Sequence, residues 1–508
     1  MALHLNPYIL SNPHKKTDIK MSETGKESEE IKKEKAEKPE VPPVPKFPAV
    51  TREAPGAPPK FPAAQKPVAP PPTPKPEVPK PEVKPEVPPP PVVKPPVIIE
   101  KAIVIDNGSG YTKCGFSGKD EPDEVFPTVI GKPKYGMAMP ELVPYAPDVY
   151  IGKKAMSMRG ALKLEYPIEH GIIRNWEAME RIWYYTFHGI LNVDPSKYNV
   201  LLSEPPANPS SHREKMAEIM FEKFNVAGMY VGMQALLSLY AANKTTGVIL
   251  DVGDGVTHVV PIFGGYVIAH AINRVNLGGR DITRFLVRLL RDKDIYLTSS
   301  AEFEIVRDIK EKRCYVALDL EAELKKVRGG QVAAQRVDRE TYVAFGERQE
   351  MQVPPTEYKL PDGRTLTINE ERFLAPEVLF QPQWIGLEAM PVHWAVFDSV
   401  LRCDIDLRRE LLANIILSGG STLFPGFEQR LKKELLALAN QYGMTNVDIR
   451  ITSPPNRMYS VWIGGSKLAS HPSFAKSWIT REEYKKEGPQ VIHRAVRRGA
   501  LIPYLAYL

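Results

Sequence analysis

Hydrophobic and polar positions follow two rhythms along most of this 508-residue chain. From about residue 97 onward, short β-branched apolar runs alternate with longer stretches in which apolar residues recur every three or four positions. The short runs predict buried strands and the longer period predicts helices, so their alternation indicates an α/β protein with sheets covered by helices. The predicted strands are Val97–Asp106, Asn199–Ser203, Thr246–Asp251, Thr257–Ile262, Tyr266–Ala269 and Asn414–Ser418, and the predicted helices are Trp176–Leu191, Ser211–Phe224, Gly232–Ala242, Arg280–Arg291, Thr298–Leu324 and Gly426–Gln441.

The first hundred residues carry neither rhythm. A Lys/Glu-rich stretch is followed by four copies of Lys-Pro-Glu-Val, and about half of the 50 prolines lie between Pro39 and Pro96. This segment has too few apolar side chains to offset the conformational entropy that it would lose on folding. We therefore expect residues 1–100 to form a disordered arm. Its prolines favour polyproline II, which would span on the order of 180 Å. Two roles stay open for the arm: a solvated spacer, or a ligand for a groove lined with aromatic side chains.

Composition excludes several classes of function. The net charge of +6 is mild for this length and forms no concentrated basic stripe, so we expect no nucleic-acid partner. Three widely spaced cysteines indicate neither a disulfide framework nor a zinc site. The start lacks the features of a secretory signal, and no apolar run reaches membrane-spanning length. We therefore expect a cytoplasmic protein without a membrane-inserted part.

Two segments of the body share one layout. Each is a buried strand that ends in an aspartate, Asp106 or Asp251, followed by a Gly-X-Gly turn and a second strand. The glycines predict positive φ values in tight hairpins and leave backbone N–H groups bare to hold a phosphate. The aspartates suit hydrated Mg²⁺, which proteins hold through one or two carboxylates. Either hairpin alone is a weak signal, but two facing each other would grip a triphosphate from both sides.

A third glycine turn, Leu417–Pro425, follows another apolar strand and precedes the helix at Gly426. Backbone without a Cβ could approach a nucleoside closely there. The chain has no Gly-x-x-x-x-Gly-Lys-Ser/Thr loop, so the P-loop class is excluded.

Two phosphate hairpins with a later Gly-Gly turn resemble the superfamily of actin, sugar kinases and heat-shock chaperones. Within it, long stretches of this chain are similar to actin, and the resemblance runs from about Lys101 to Arg494. The stretches that carry it are Tyr166–Ile172, Arg213–Met216, Met220–Asn225, Ile305–Lys312, Leu360–Gly363, Leu379–Pro382 and Tyr459–Ser466.

The resemblance to actin implies the fold of residues 101–508: a duplicated, ribonuclease H-like α/β body with two lobes and a nucleotide cleft. It implies four subdomains, of which the first comprises 101–127, 167–241 and 460–508, the second 128–166, the third 242–277 and 388–459, and the fourth 278–387.

The resemblance also implies the residues of the site. Gln234 and His258 match the pair that orders the attacking water, and Asp106 and Asp251 match the Mg²⁺ carboxylates. The residues that match the nucleotide-binding positions are Gly108, Ser109, Gly110, Tyr111, Lys113, Gly253, Asp254, Gly255, Val256, Gly279, Lys310, Glu311, Gly420, Leu423 and Phe424, together with Met458, which stands where actin has a lysine beside the adenine.

The chain departs from actin at several places. Val252 replaces a small hydroxyl residue of the second hairpin, which predicts the loss of one donor near the γ-phosphate. The loop at Lys132–Val149, which actin inserts into its filament neighbour, contains prolines here, and the segment Leu320–Lys359 is about twenty residues longer. Polar Lys467, His471 and Ser477 stand where actin has an apolar groove, and the chain continues after Arg494 as an apolar C-terminal extension.

By resemblance, we expect a cytoskeletal Mg²⁺-ATPase that binds ATP or ADP and assembles head-to-tail into filaments. The alternative is a non-polymerising actin-related subunit that holds ATP as a structural cofactor in a larger complex. The expected partners are further copies of the chain and actin-binding proteins, with profilin-like or other polyproline readers on the arm.

Overall fold

The computed structural model describes residues 101–134, 149–328 and 356–494, all within one compact unit that spans Val92–Leu508. The predicted arm at 1–100 lies outside the described residues, as do 135–148 of the proline-bearing loop, 329–355 of the longer segment and 495–508 of the C-terminal extension. Among the described residues, no helix has the length and apolar character needed to cross a membrane.

Nineteen strands are present in the described part of the chain. They are β1 (Ile103–Asn107), β2 (Tyr111–Phe116), β3 (Glu124–Pro127), β4 (Ile130–Pro133), β5 (Tyr150–Ile151), β6 (Leu162–Glu165), β7 (Ile168–Glu169), β8 (Ile172–Ile173), β9 (Asn199–Glu204), β10 (Gly228–Met233), β11 (Gly247–Val252), β12 (Thr257–Phe263), β13 (Tyr266–Val267), β14 (Asn273–Val275), β15 (Glu357–Lys359), β16 (Thr365–Thr367), β17 (Ile415–Ser418), β18 (Ile451–Thr452) and β19 (Ile479–Thr480).

Helices separate the strands. They are α1 (Gly152–Ser157), α2 (Trp176–Tyr184), α3 (Ser210–Glu218), α4 (Gln234–Ala241), α5 (Gly279–Arg291), α6 (Ser300–Arg313), α7 (Leu320–Arg328), α8 (Glu371–Glu377), α9 (Val392–Leu401), α10 (Ile405–Leu412), α11 (Phe427–Gln441), α12 (Ser460–Ser470) and α13 (Arg481–Glu487). Wider π turns extend α2 and α3, at Tyr185–Ile190 and Ile219–Lys223.

Two large sheets repeat one topology. The first has the order β19-β10-β9-β1-β2-β3, and the second has the order β13-β12-β11-β17-β18. In each, an antiparallel hairpin (β1–β2 or β11–β12) is followed by a strand that returns parallel to its first member, β9 or β17. This repetition agrees with the predicted duplicated α/β body.

Each sheet has its own core, and α4 lies between the two. Fully buried Trp183 and Trp462 lie in the first core, whereas Phe397 lies in the second. On α4, Leu237 packs into the first core, while Leu239 joins a cluster of residues from the second sheet. Helix α4 therefore connects the two halves through its packing as well as along the chain.

Most predicted elements are present, with three corrections. The helix predicted over Thr298–Leu324 is interrupted, because Tyr315 and Val316 turn into the interior and their N–H groups donate to carbonyls of distant residues. The strand predicted over Tyr266–Ala269 ends at Val267, and a 3₁₀ turn begins at Ala269. The prediction also missed β10, whose glycines disguise a strand that is buried on both faces.

Candidate functional site

The two Asp-ended hairpins face each other across one cleft. It encloses about 430 Å³, within the range of roughly 300–1,000 Å³ that is usual for small-molecule sites. The predicted residues that line it are Asp106, Gly108, Ser109, Gly110, Tyr111, Lys113, Gln234, Asp251, Gly253, Asp254, Gly255, Val256, Lys310, Glu311, Gly420, Leu423, Phe424 and Met458.

Two predicted residues, Gly279 and His258, do not line the cleft themselves. A Cβ on Gly279 would lie 3.4 Å from Asp254 Oδ1, which places this glycine directly behind the second hairpin. The lining residues that sequence reasoning missed are Asn107, Val125, Gly171, Ser418, Gly419, Ser421, Pro425, Tyr459 and Val461.

The turn glycines allow the hairpins to approach each other. The prediction of positive φ is wrong, because none of these four glycines has a left-handed φ. Instead, a Cβ on Gly110 would stand 2.9 Å from Asp254 Cβ, and one on Gly255 would stand 2.9 Å from Ser109 Oγ. Each hairpin therefore needs glycine at the point where the other one touches it.

Asp106 is fixed by two neighbours at the base of the cleft. It is 2% exposed, Lys113 Nζ donates to its Oδ2 at 2.9 Å, and Ser203 Oγ donates to its Oδ1 at 2.6 Å. The register of β1 and β2 places Asp106 opposite Lys113. The ammonium therefore compensates the buried carboxylate, as hydrogen bonding and an opposite charge commonly do.

Asp251 is compensated less well. Its pKa is raised to about 6, because burial and the Asp106 carboxylate raise it and Lys113 and a hydrogen bond from Ser418 only partly oppose them. Gly419 closes over this carboxylate with φ +86°, and a Cβ there would lie 2.5 Å from Asp251 Oδ1. The positive φ predicted for the hairpins thus occurs in the third glycine turn, at a residue that the predicted site omitted.

Gln234 begins α4 beside the two carboxylates. Its Nε2 is 3.5 Å from Asp106 Oδ1 and 3.4 Å from Ser203 Oγ. Both distances are at the outer limit of hydrogen bonding, so neither contact holds the amide firmly.

His258 stands opposite Asp251 in the hairpin register. It is 2% exposed, and neither ring nitrogen has a hydrogen-bond partner among the described residues. Burial, with the nearby Arg274, lowers its pKa to about 3, so the ring is neutral at pH 7. A buried imidazole with two unsatisfied nitrogens is costly unless water or a ligand satisfies them.

A latch of side chains joins the two sides of the cleft. The Arg280 guanidinium is 3.0 Å from Asp254 Oδ2, donates to the Ser109 carbonyl at 3.2 Å, and stacks 4.4 Å from the Tyr166 ring centre. Tyr166 in turn donates to Glu304 Oε1 at 2.5 Å. Arg280 follows the predicted Gly279 directly, but its role depends on partners that are distant in sequence.

The far end of the cleft combines two charged side chains with an apolar surface. Lys310 Nζ donates to the Gly279 carbonyl at 3.1 Å, and burial lowers the pKa of this ammonium. Burial also raises the pKa of Glu311 beside it. Met458, with the apolar side chain of Leu423, gives this end a thioether and hydrocarbon surface where actin has a cation.

The structure gives the surroundings of two residues at which the chain departs from actin, Val252 and Lys467. Val252 is fully buried in the second core and does not line the cleft, and the loss of a donor near the γ-phosphate stays a prediction. Lys467 donates to the Ala241 carbonyl at 3.2 Å and to Asn243 Oδ1 at 2.9 Å. Its ammonium thus caps the C-terminal end of α4.

The donor set of the cleft suits a hydrated divalent cation beside phosphates. The described residues contain no cluster of three or more His, Cys, Asp and Glu side chains that could hold a metal alone. Asp106 and Asp251 supply two carboxylates, which is what Mg²⁺ uses when phosphate and water complete its shell. The touching hairpins and the unsatisfied His258 ring fit the same arrangement.

One comparison with known proteins matches most of the chain. Residues 99–497 match the family model described as Actin. The match covers both hairpins, the third glycine turn and every residue of the predicted site.

Proposed function

The chain belongs to the actin family, and from this premise we propose that it binds ATP or ADP with Mg²⁺ in the cleft, hydrolyses ATP and assembles into cytoskeletal filaments. The observation that carries the proposal is the meeting of two Asp-ended hairpins across a single cleft, with a glycine at each point of contact. The role of the nucleotide and the assembly are separate parts of the proposal, and each has its own support.

The phosphate end of the cleft combines bare N–H groups with one strong cation. Successive backbone amides in a turn can hold phosphate oxygens, and Lys113 adds a positive charge beside them. Asp106 and Asp251 would hold Mg²⁺, largely through water, and the cation would neutralise charge that develops on the phosphates. Lys113 is already paired with Asp106, so it orients the carboxylate as well as the phosphate.

Gln234 and His258 would orient the attacking water. The Gln234 amide can both donate and accept, and its long contacts leave it available to a new partner. The neutral His258 ring offers one acceptor nitrogen and one N–H, both without a protein partner among the described residues. Such a pair aligns water for in-line attack without a covalent intermediate.

Exposed apolar side chains support the assembly part of the proposal. On the second half of the body, Phe263 and Tyr266 are 39% and 52% exposed at one hairpin, and Ile405 is 73% exposed at the start of α10. Single exposed apolar side chains are common, but contiguous ones mark protein–protein contacts, and Phe263 and Tyr266 are direct partners across their hairpin. Contacts between unlike surfaces would add copies head-to-tail, and actin-binding proteins or a polyproline reader on the arm would join the filament.

The hydrolysis part is tested by Gln234→Ala. We expect phosphate release from ATP in Mg²⁺ to slow by about 10²-fold or more, because removing a group that acts on the reacting water costs that much, while a fluorescent ATP analogue still binds. Gln383→Ala, at an exposed position outside the cleft, is the matched control. Phosphate release from the Gln234 variant at the parent rate would refute the assignment.

Assembly is tested separately by pelleting the protein after addition of ATP and Mg²⁺. Sedimentation that depends on protein concentration and nucleotide supports the filament. A protein that binds ATP but stays in the supernatant at every concentration would instead be the non-polymerising subunit of a larger complex. The two experiments distinguish a failure of assembly from a failure of catalysis.

A further inference from the structure

We propose that Val92–Glu100, the segment just before β1, docks across the N-terminal ends of β1 and β9 in the first sheet and reaches a surface depression beside Tyr184. This depression lies between α2 and the turns at Asp194–Ser196 and Lys223–Asn225, and has a volume of about 740 Å³. It lies on the first half of the body and shares no lining residue with the cleft.

The depression and the start of the body lie at the same end of the sheet. Strands β10, β9 and β1 are adjacent and parallel, so their N-terminal ends lie side by side. The two turns that wall the depression come just before β9 and β10 in the chain. Ile103 pairs with Val200, and Ser196 is only four residues before Val200. At no more than about 3.3 Å per residue, the wall of the depression is within roughly 13 Å of Val200, which lies one strand spacing of about 4.8 Å from the start of β1.

Aromatic rings lie at the start of β1 and at the depression. Phe116 on β2 and Tyr198 just before β9 flank β1, and their ring centres are 5.8 Å apart. Both are half-buried. Farther along, Tyr184 is 60% exposed and its ring packs 4.4 Å from His188. Grooves lined with aromatic rings are the surfaces that bind proline-rich segments in an extended conformation.

The composition of Val92–Glu100 suits contact with these rings. Its sequence is Val-Val-Lys-Pro-Pro-Val-Ile-Ile-Glu, with two prolines and five β-branched residues that would bury apolar surface against the rings. Lys94 is its one cation. In the depression, Glu177 pairs with Arg181 and Glu180 pairs with Lys223. The third carboxylate, Asp194, is exposed and lies 3.9 Å from Lys197 Nζ, a loose contact that leaves room for the Lys94 ammonium as a second cation.

The length of the segment is sufficient. Seven residues separate Lys94 from Lys101, and a polyproline II chain extends about 3.1 Å per residue, or roughly 22 Å in total. This exceeds the distance to the wall of the depression. Docking would fix the direction in which the rest of the arm leaves the body, so every copy in an assembly would present its arm from an equivalent place.

Cross-linking between two introduced cysteines tests the proposal in the full chain. The three native cysteines are buried, so they will not compete for the reagent. Lys94→Cys is paired with Arg181→Cys at the depression, and in a control with Asp120→Cys, an exposed site near β1 on the other side. We expect the first pair to cross-link with a short bismaleimide about tenfold faster, because docking raises the effective concentration of one thiol at the other.

Tyr184→Ala, added to each pair, removes the exposed ring. We expect the rate of the 94–181 pair to fall to that of the 94–120 pair, whereas Tyr296→Ala, another exposed tyrosine, should leave it unchanged. Equal rates for the two pairs in the parent chain, or a preference that survives Tyr184→Ala, would overturn the proposal. Cross-links that form only between two separately labelled chains would assign the depression to a second copy and also overturn it.

Discussion

Among the described glycines, Gly464 on α12 is the one at which an added Cβ would lie closest to a neighbouring atom. A Cβ at this position would lie 1.7 Å from the Leu237 carbonyl oxygen and 2.5 Å from its carbon. These are backbone atoms of α4, which packs against both cores and begins with Gln234. Gly464→Ala therefore cannot be accommodated by a side-chain rotation, and one helix must move away from the other.

The expected cost follows from the size of that movement. Real Cβ contacts are essentially never shorter than 3.0 Å, so the helices must separate by about 1.3 Å, the difference between 3.0 and 1.7 Å. Overpacking of this kind commonly costs about 1–3 kcal/mol or more, and replacing a helical glycine by alanine returns up to about 1 kcal/mol. Because the obstacle is backbone, we expect a net loss near the upper end, about 3 kcal/mol of unfolding free energy.

Gly465→Ala is the matched control in the same helix. Its Cβ would meet Val104 Cγ1 at 2.9 Å and Leu201 Cδ2 at 3.2 Å, both side-chain methyl groups that can shift. We expect a loss of about 1 kcal/mol or less. Urea unfolding followed by tryptophan fluorescence measures both variants. Equal losses for the two variants would refute the argument that the backbone contact decides the cost.

Three further predictions concern charge and hydrogen bonding. Asp251→Asn should weaken binding of Mg²⁺–ATP yet stabilise the protein in EDTA by up to about 3 kcal/mol above pH 6. A folded-state pKa of about 6 against 3.8 makes the parent lose stability as pH rises from about 3.8 to about 6, so urea unfolding should show the full gain at pH 8 and about half of it at pH 5, and equal gains at the two pH values would contradict this. Arg430→Leu should lower the unfolding free energy by about 3–5 kcal/mol in the same assay, because it removes the bidentate ion pair of the fully buried Glu377 carboxylate. A loss below about 1 kcal/mol would contradict this. Tyr166→Phe should speed release of a fluorescent nucleotide about tenfold, since it removes the bond to Glu304 across the cleft, and an unchanged off-rate would exclude the latch.

Local pattern was sufficient to predict the layout of the fold. The hairpins around Asp106 and Asp251, the helices from Gly279 and Phe427, and their alternation follow from periods of two and 3.6 residues, which neighbouring residues alone encode. The interrupted helix near Tyr315 was not predictable in this way. Its amides bond to carbonyls more than fifty residues away, and only the folded chain brings those partners together.

Sequence motifs located the two phosphate hairpins and the third glycine turn, because these residues lie in short strings after strand ends, and the resemblance to actin supplied the rest of the candidate site. Three features depended on the tertiary structure: Gly419 over Asp251, the Arg280 latch, and the unsatisfied ring of His258. Each concerns a distance or a missing partner between segments far apart in the chain. The sequence determined which chemical groups are present, and the packing of two sheets against one helix decided which of them meet and what each still lacks.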